Sequence, residues 1–258
     1  MQSALEEFLA SGVLAFMLTF MRIGTATMVM PGIGDSFVTA RVRLHIALVM
    51  SLVLTPVVMP YVPSPVPPLF ALTHMIIVEM IIGLLIGTIA RIFMIALDTA
   101  GMVVSTQSGL ANAQVFNPTE ATQGSIIGSL LTMSAAVLIF ATNMHHMLLT
   151  GFVESYQMFP MGVFPDSGDL AELMTRAVAT SFNTGVKLAA PFIVMTLLIY
   201  VGMGVLSRLM PQLQVFLVIL PLQILMAMVL LGLVFAAMMG AWLIHYQSSI
   251  LFFFSGSG

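Results

Sequence analysis

The sequence predicts an all-α protein of multi-span, membrane-associated helical hairpins, and three observations carry that prediction. Only 7% of its 258 residues are charged while 60% are hydrophobic, whereas soluble domains run at about a quarter charged. Apolar runs reach bilayer length several times along the chain. Most of the charges lie at the ends of those runs or in two longer connections. A soluble enzyme of this length would need a polar surface that this composition cannot supply, and disordered chains are poor in hydrophobes rather than rich in them. A net charge of −3 provides no basic footprint for nucleic acid. The lack of cysteine removes disulfides, thiolate metal sites and cysteine nucleophiles together.

A span needs about 20 apolar residues at about 1.5 Å rise each. Six runs satisfy this, at about 8–30, 44–62, 70–90, 126–150, 185–206 and 213–243. Glu6 and Glu7 precede the first run, where a cleaved signal would place basic residues. Gln2 excludes N-myristoylation. Ser255–Gly258 reads as an appended linker and is set aside. Arg41 and Arg43 follow the first span, Arg91 the third and Arg208 the fifth, so the positive-inside rule predicts both termini on the outer side.

Local signals place helix ends and breaks. Asn117-Pro118-Thr119-Glu120 has capping-box spacing with proline at the first helical position, which predicts a helix from there towards residue 150. Asp169 and Glu172 mark another start, and Glu172 with Arg176 forms a favourable i,i+4 pair. The proline-rich stretch from Pro63 to Pro68 reads as an extended connector. Pro191 and Pro221 fall inside apolar runs and predict kinks or breaks. The segment 91–125 is less apolar than its neighbours, and the connection at about 154–177 is acidic.

Catalytic signatures are missing: the chain has no G-x-x-x-x-G-K-[ST], no H-E-x-x-H and no G-x-S-x-G. His145 and His146 are adjacent, so on a helix they diverge by about 100° and do not chelate one metal together. No enzymatic activity, cofactor or metal is expected. Charges inside apolar helices are costly, at roughly 2.5–3.5 kcal/mol on insertion scales, so Arg22, Glu79, Arg91 and Asp98 should each pair with another helix or subunit. Arg91 and Asp98 are two turns apart, too far to bond each other. Gly83-x-x-x-Gly87 and Gly124-x-x-x-Gly128 offer small faces for close helix approach.

Two features stay open on residue chemistry alone. Methionine occurs 24 times, which fits either drift among apolar residues or a deformable lining. The uncharged stretch Gly109, Leu110, Ala111, Asn112, Ala113, Gln114, Val115, Phe116 and Asn117 reads equally as an interhelical loop or as a pore constriction. Its backbone polar groups must be held by protein or line a cavity.

Several segments resemble the FliR/SctT family of type III secretion export-gate proteins. These are Phe20-x-Arg22 with Met30-Pro31-Gly32-Ile33-Gly34 and Arg41-Val42-Arg43, then Ala100-Gly101 through Gln107, Gly109-Leu110-Ala111 and Phe116-Asn117-Pro118. The most specific is Leu206 to Phe216, with Arg208, Pro211 and Gln212, followed by Pro221-Leu222-Gln223. The resemblance implies one copy of this chain assembled with multiple copies of FliP and FliQ in a closed helical gate, with FlhB and FlhA as further partners. It implies unfolded flagellar proteins as cargo, and a place in the bacterial inner membrane at the flagellar basal body, partly raised towards the periplasm. It implies a single domain over 1–254, with a FliP-like part to about 177 and a FliQ-like part from 178, and favours the loop at 106–122 as a plug. Arg208 and Gln212 are then expected at subunit contacts. The alternative is a solute transporter using Glu79 and helices broken at Pro191 and Pro221.

Overall fold

The computed structural model describes residues 2–63, 67–111, 125–209 and 215–255. The described residues form α1 (Gln2–Val29), α2 (Ala40–Val58), a 3-10 turn (Met59–Tyr61), α3 (Leu69–Gln107), α4 (Ile126–Ala141), α5 (Met144–Met158), α6 (Ser167–Leu209) and α7 (Val215–Ser255). They contain no strand, so the all-α reading holds. Five helices are long and apolar enough to cross a membrane, and α4 with α5 makes a sixth if the bent pair counts as one span.

Several helices outrun the spans read from hydropathy. α3, α6 and α7 have 39, 43 and 41 residues. At about 1.5 Å per residue each is close to 60 Å long, about twice a hydrocarbon core. The segment from 91 to 107, read as a connection, is the second half of α3. Most of the acidic stretch 154–177 is helical too, leaving only 159–166 between α5 and α6. Charged and hydroxyl residues lower apolarity without breaking a helix, so a hydropathy window ends before the helix does.

The continuous helix expected from Asn117 to about 150 is not what forms. Residues 112–124 lie outside the described residues, Ser125 is non-helical, and α4 begins at Ile126. The Ser125 hydroxyl accepts the Gly128 N–H at 3.0 Å, which makes it the N-cap. α4 and α5 then meet at 76°. Asn143 at their junction has φ 58, a left-handed geometry that asparagine tolerates better than most residues. Thr142 and Asn143 interrupt the apolar run at the bend, but the runs on either side are apolar enough to read as one span.

The prolines also behave differently from expectation. α2, α6 and α7 run on through Pro56, Pro191 and Pro221 without a break in helix. Neighbouring turns can re-satisfy the freed carbonyl in an apolar setting. At the start of α6 the cap is Asp166: its carboxylate accepts the Gly168 N–H at 2.7 Å and its carbonyl the Leu170 N–H at 3.1 Å. Asp169 sits in the first turn, where its charge complements the helix dipole. The Glu172–Arg176 pair forms as the spacing predicts.

The chain divides into two compact units, one of Met1–Phe93, Ile139–Ala177 and Ser248–Gly258, the other of Met94–Leu138 and Val178–Gln247. In the first, Leu14, Leu18 and Met75 form a buried cluster covered by Val62, Leu72, Ile76 and Met161. In the second, Trp242 and Tyr246 are fully buried with ring centroids 5.1 Å apart. Burial is uneven: 61% of the most apolar window of α3 is inside, against 17% for α2 and 22% for α7. The poorly covered helices expose far more apolar surface than a soluble monomer carries. Methionines occur on both kinds of surface, Met75 and Met195 inside and Met102 and Met133 outside.

Candidate functional site

The first unit is organised around a buried ion pair. Arg22 of α1 and Glu79 of α3 are both fully buried. Arg22 Nε donates to Glu79 Oε2 at 2.6 Å and Nη2 to Oε1 at 3.1 Å, a bidentate fork. The remaining donors reach α5 and its end: Nη1 donates to Ser155 Oγ at 3.1 Å and Nη2 to the Phe159 carbonyl at 2.9 Å. The Ser155 hydroxyl in turn donates to the Phe152 carbonyl at 2.7 Å. The guanidinium carbon lies 3.8 Å from the centre of the Tyr156 ring, a cation–π stack strengthened by the absence of water. The Tyr156 and Thr19 hydroxyls lie buried beside this node.

The sequence lets α1 and α3 approach closely enough for this fork. A Cβ at Gly83 would lie 2.1 Å from the Arg22 carbonyl oxygen, and one at Gly87 would lie 2.6 Å from that of Ala26. Gly83-x-x-x-Gly87 is therefore the groove that receives the Arg22 turn of α1. Arg22 and Glu79, each a charge within an apolar run, pair with each other. Their partnership with each other, and the contributions of Ser155 and Tyr156, were not visible in the spacing. Of the two features behind the solute-transporter alternative, Glu79 is buried but ion-paired, and the helices expected to break at Pro191 and Pro221 are continuous.

A second set of bonds fixes the turn after α1. The Gly32 N–H donates to the Asp35 carboxylate at 2.8 Å, and Arg43 donates to the Asp35 and Val38 carbonyls at 2.7 and 3.0 Å. Arg91 of α3 lies 3.4 Å from the Asp35 carboxylate and 3.3 Å from the Val29 carbonyl. Gly32 has φ 83, so the Met30–Gly34 motif needs glycine there for conformation. Arg91 thus meets α1's end rather than Asp98, which belongs to the second unit beside Gly128.

The second unit holds neutral polar contacts around the end of α3. The Gln107 carbonyl accepts from the Thr196 hydroxyl of α6 at 2.9 Å and from the Gln223 side-chain amide of α7. Two residues on, Gly109 has φ 78 and turns the chain out of the helix. The Leu110 N–H approaches the Ser108 hydroxyl at 3.4 Å, and Ser108 donates to the Ser105 carbonyl at 3.0 Å. Where the chain re-enters, the Ser125 hydroxyl lies 2.6 Å from that of Ser105 and donates to the Gly101 carbonyl at 2.9 Å. A Cβ at Gly101 would sit 2.2 Å from the Gly128 Cα. Both ends of the stretch 108–124 are therefore pinned to the same two turns of α3.

Of the proposed constriction, Gly109, Leu110 and Ala111 fall at the first of these ends. Asn112, Ala113, Gln114, Val115, Phe116 and Asn117 lie outside the described residues, as do Gly124 and Gln212. Arg208 is exposed in the last turn of α6, where a cation complements the dipole. Gly128 does pack closely, but against Gly101 of α3. Thr196 and Ser125 were missed; a lone hydroxyl in an apolar run and a serine three residues before Gly128 are their only marks. Gln223 stood out only within the family resemblance.

Residues 13–249 match the model of the family described as bacterial export proteins, family 1. The chain is 38% identical over 231 residues to the flagellar biosynthetic protein FliR of Caulobacter vibrioides, covering 89% of this chain and 92% of that one. It is 29% identical over 222 residues to FliR of Bacillus subtilis, covering 84% of each. It is 32% identical over 164 residues to the Yop proteins translocation protein T of Yersinia pestis, covering 63% of each. With the family model spanning most of its length, the chain belongs to the bacterial export proteins of family 1, the FliR/SctT family.

Proposed function

We propose that this chain is a structural channel subunit of the flagellar type III export gate, assembled with several FliP and FliQ subunits and joined by FlhB and FlhA. Its relatives are flagellar and Yop translocation proteins, and its apolar helices make it a membrane-embedded component of such an apparatus. The gate lies in the inner membrane with part of the assembly raised towards the periplasm. The stretch at 106–122 is the plug that closes the pore until unfolded cargo enters.

The observation that carries the plug reading is the double anchoring of that stretch. Here the exit is held by Thr196 and Gln223 on the Gln107 carbonyl, and the return by Ser125 on Gly101 and Ser105. Ends fixed by hydroxyl and amide groups allow the intervening residues to be displaced without unpacking α3. Deleting residues 110–116 in the assembled complex tests this: assembly should persist while ions and small molecules leak. An assembled deletion variant as tight as the wild type would refute the plug.

A further inference from the structure

An exposed face of α6 carries a chemistry that the gate reading does not use. Thr180, Asn183, Thr184 and Lys187 recur at offsets of 3, 4 and 7, so they form one polar stripe along the helix. With Ala241 and His245 of α7 they line an open groove of about 450 Å³. The Thr184 hydroxyl donates to the Thr180 carbonyl at 2.9 Å. The donors left for a ligand include the Lys187 ammonium, the Asn183 amide and the Thr180 hydroxyl.

Charge and length both say what fits there. From residue 173 to the end the chain has no Asp or Glu, and among the described residues no carboxylate pairs with Lys187. Beyond Pro191 the same helix face turns apolar, with Val194, Leu198, Val201 and Val205 each more than half exposed. Arg208, also exposed, ends this track. Lys187 and Arg208 are 21 residues apart, about 32 Å along a helix, against about 30 Å for a hydrocarbon core. The two cations therefore bracket an apolar face of bilayer thickness.

We propose that the Thr180–Lys187 groove binds the headgroup of an anionic phospholipid, with its acyl chains lying along α6 from Val194 towards Val205. Lys187 and the Asn183 amide meet the phosphate in a setting where a charge-assisted contact is strong. A zwitterionic lipid brings its own ammonium beside Lys187, which disfavours it. A free solute would gain nothing from the apolar track. The proposal does not depend on the plug.

The test is native mass spectrometry of the full-length chain in mild detergent, with phosphatidylglycerol or phosphatidylcholine added. Phosphatidylglycerol should be retained in preference, Lys187→Gln should lower its retention roughly fivefold, as for one basic group at an anionic surface, and Lys187→Arg should restore it. Val201→Asn, which leaves the cation intact, should also weaken retention by interrupting the acyl track. Equal retention by wild type and Lys187→Gln, or equal retention of the two lipids, would overturn the proposal. So would displacement of the lipid by millimolar inorganic phosphate, which would indicate a simple anion site. Carbodiimide coupling of Lys187 to a neighbouring subunit's carboxylate in the assembled complex would overturn it in favour of a protein partner.

Discussion

The two units hold their polar groups in opposite ways. In the first, a full charge pair is sealed among apolar helices, with Arg22 and Glu79 both inaccessible and bonded from three sides. In the second, the polar contacts around Gln107 and Ser125 are neutral and individually weak. Removing one partner of a buried ion pair leaves an uncompensated charge, which costs about 3–5 kcal/mol. Losing one neutral hydrogen bond costs about 1 kcal/mol. The first arrangement therefore costs far more to disrupt than the second.

The largest break in that contrast is a single substitution in the ion pair. Glu79→Leu should destabilise the chain by about 3–5 kcal/mol, read as lost yield and a lower unfolding temperature in detergent. Arg22→Met with Glu79→Leu should recover most of that loss, because a matched apolar pair carries no stranded charge. A double variant as damaged as the single would show that the pair does more than hold α1 to α3.

Gly83→Ala comes next. Its Cβ would lie 2.1 Å from the Arg22 carbonyl oxygen, so α1 must shift away from α3. Overpacking of this kind costs about 1–3 kcal/mol. The same unfolding measurement should place it below the single charge variant. Equality with wild type would mean that α1 is not seated on the Gly83–Gly87 groove.

In the second unit the effects on stability should be smaller. Ser125→Ala removes the cap of α4 and the bond to Gly101, and should cost about 1 kcal/mol. Amide hydrogen exchange should accelerate at Gly128, whose N–H loses its acceptor. Unchanged exchange there would remove Ser125 from the anchor. Arg208→Ala should leave the isolated chain as stable as before and reduce recovery of the assembled complex. Normal recovery would take Arg208 away from the subunit contacts.

The sequence made some of this contrast legible. Arg22 and Glu79 stood out because charge inside an apolar run demands a partner, and Gly83 with Gly87 because small residues four apart permit close helices. Their shared location did not, since contact across 57 residues leaves no local signature. The neutral anchors were less visible still: Thr196 is an ordinary residue in an apolar helix and Ser125 an ordinary cap, and what singles them out is the geometry of the Gln107 and Gly101 carbonyls. Helix ends were misread where polarity and helicity part company, as along the second half of α3. The bend at Asn143 was hidden because two polar residues, Thr142 and Asn143, barely lower the hydropathy of a long apolar run.

The most direct measurement of the central claim compares leakage through two variants of the complex assembled with FliP and FliQ in liposomes. One is Thr196→Val with Gln223→Leu, which frees the Gln107 carbonyl; the other is Arg22→Met with Glu79→Leu, which replaces the ion pair by apolar groups. The account predicts raised ion conductance in the first at a stability cost of about 2 kcal/mol, and a tight gate in the second. A tight first variant, or a second that leaks as much, would contradict the proposed part of the Gln107 anchors in closing the pore.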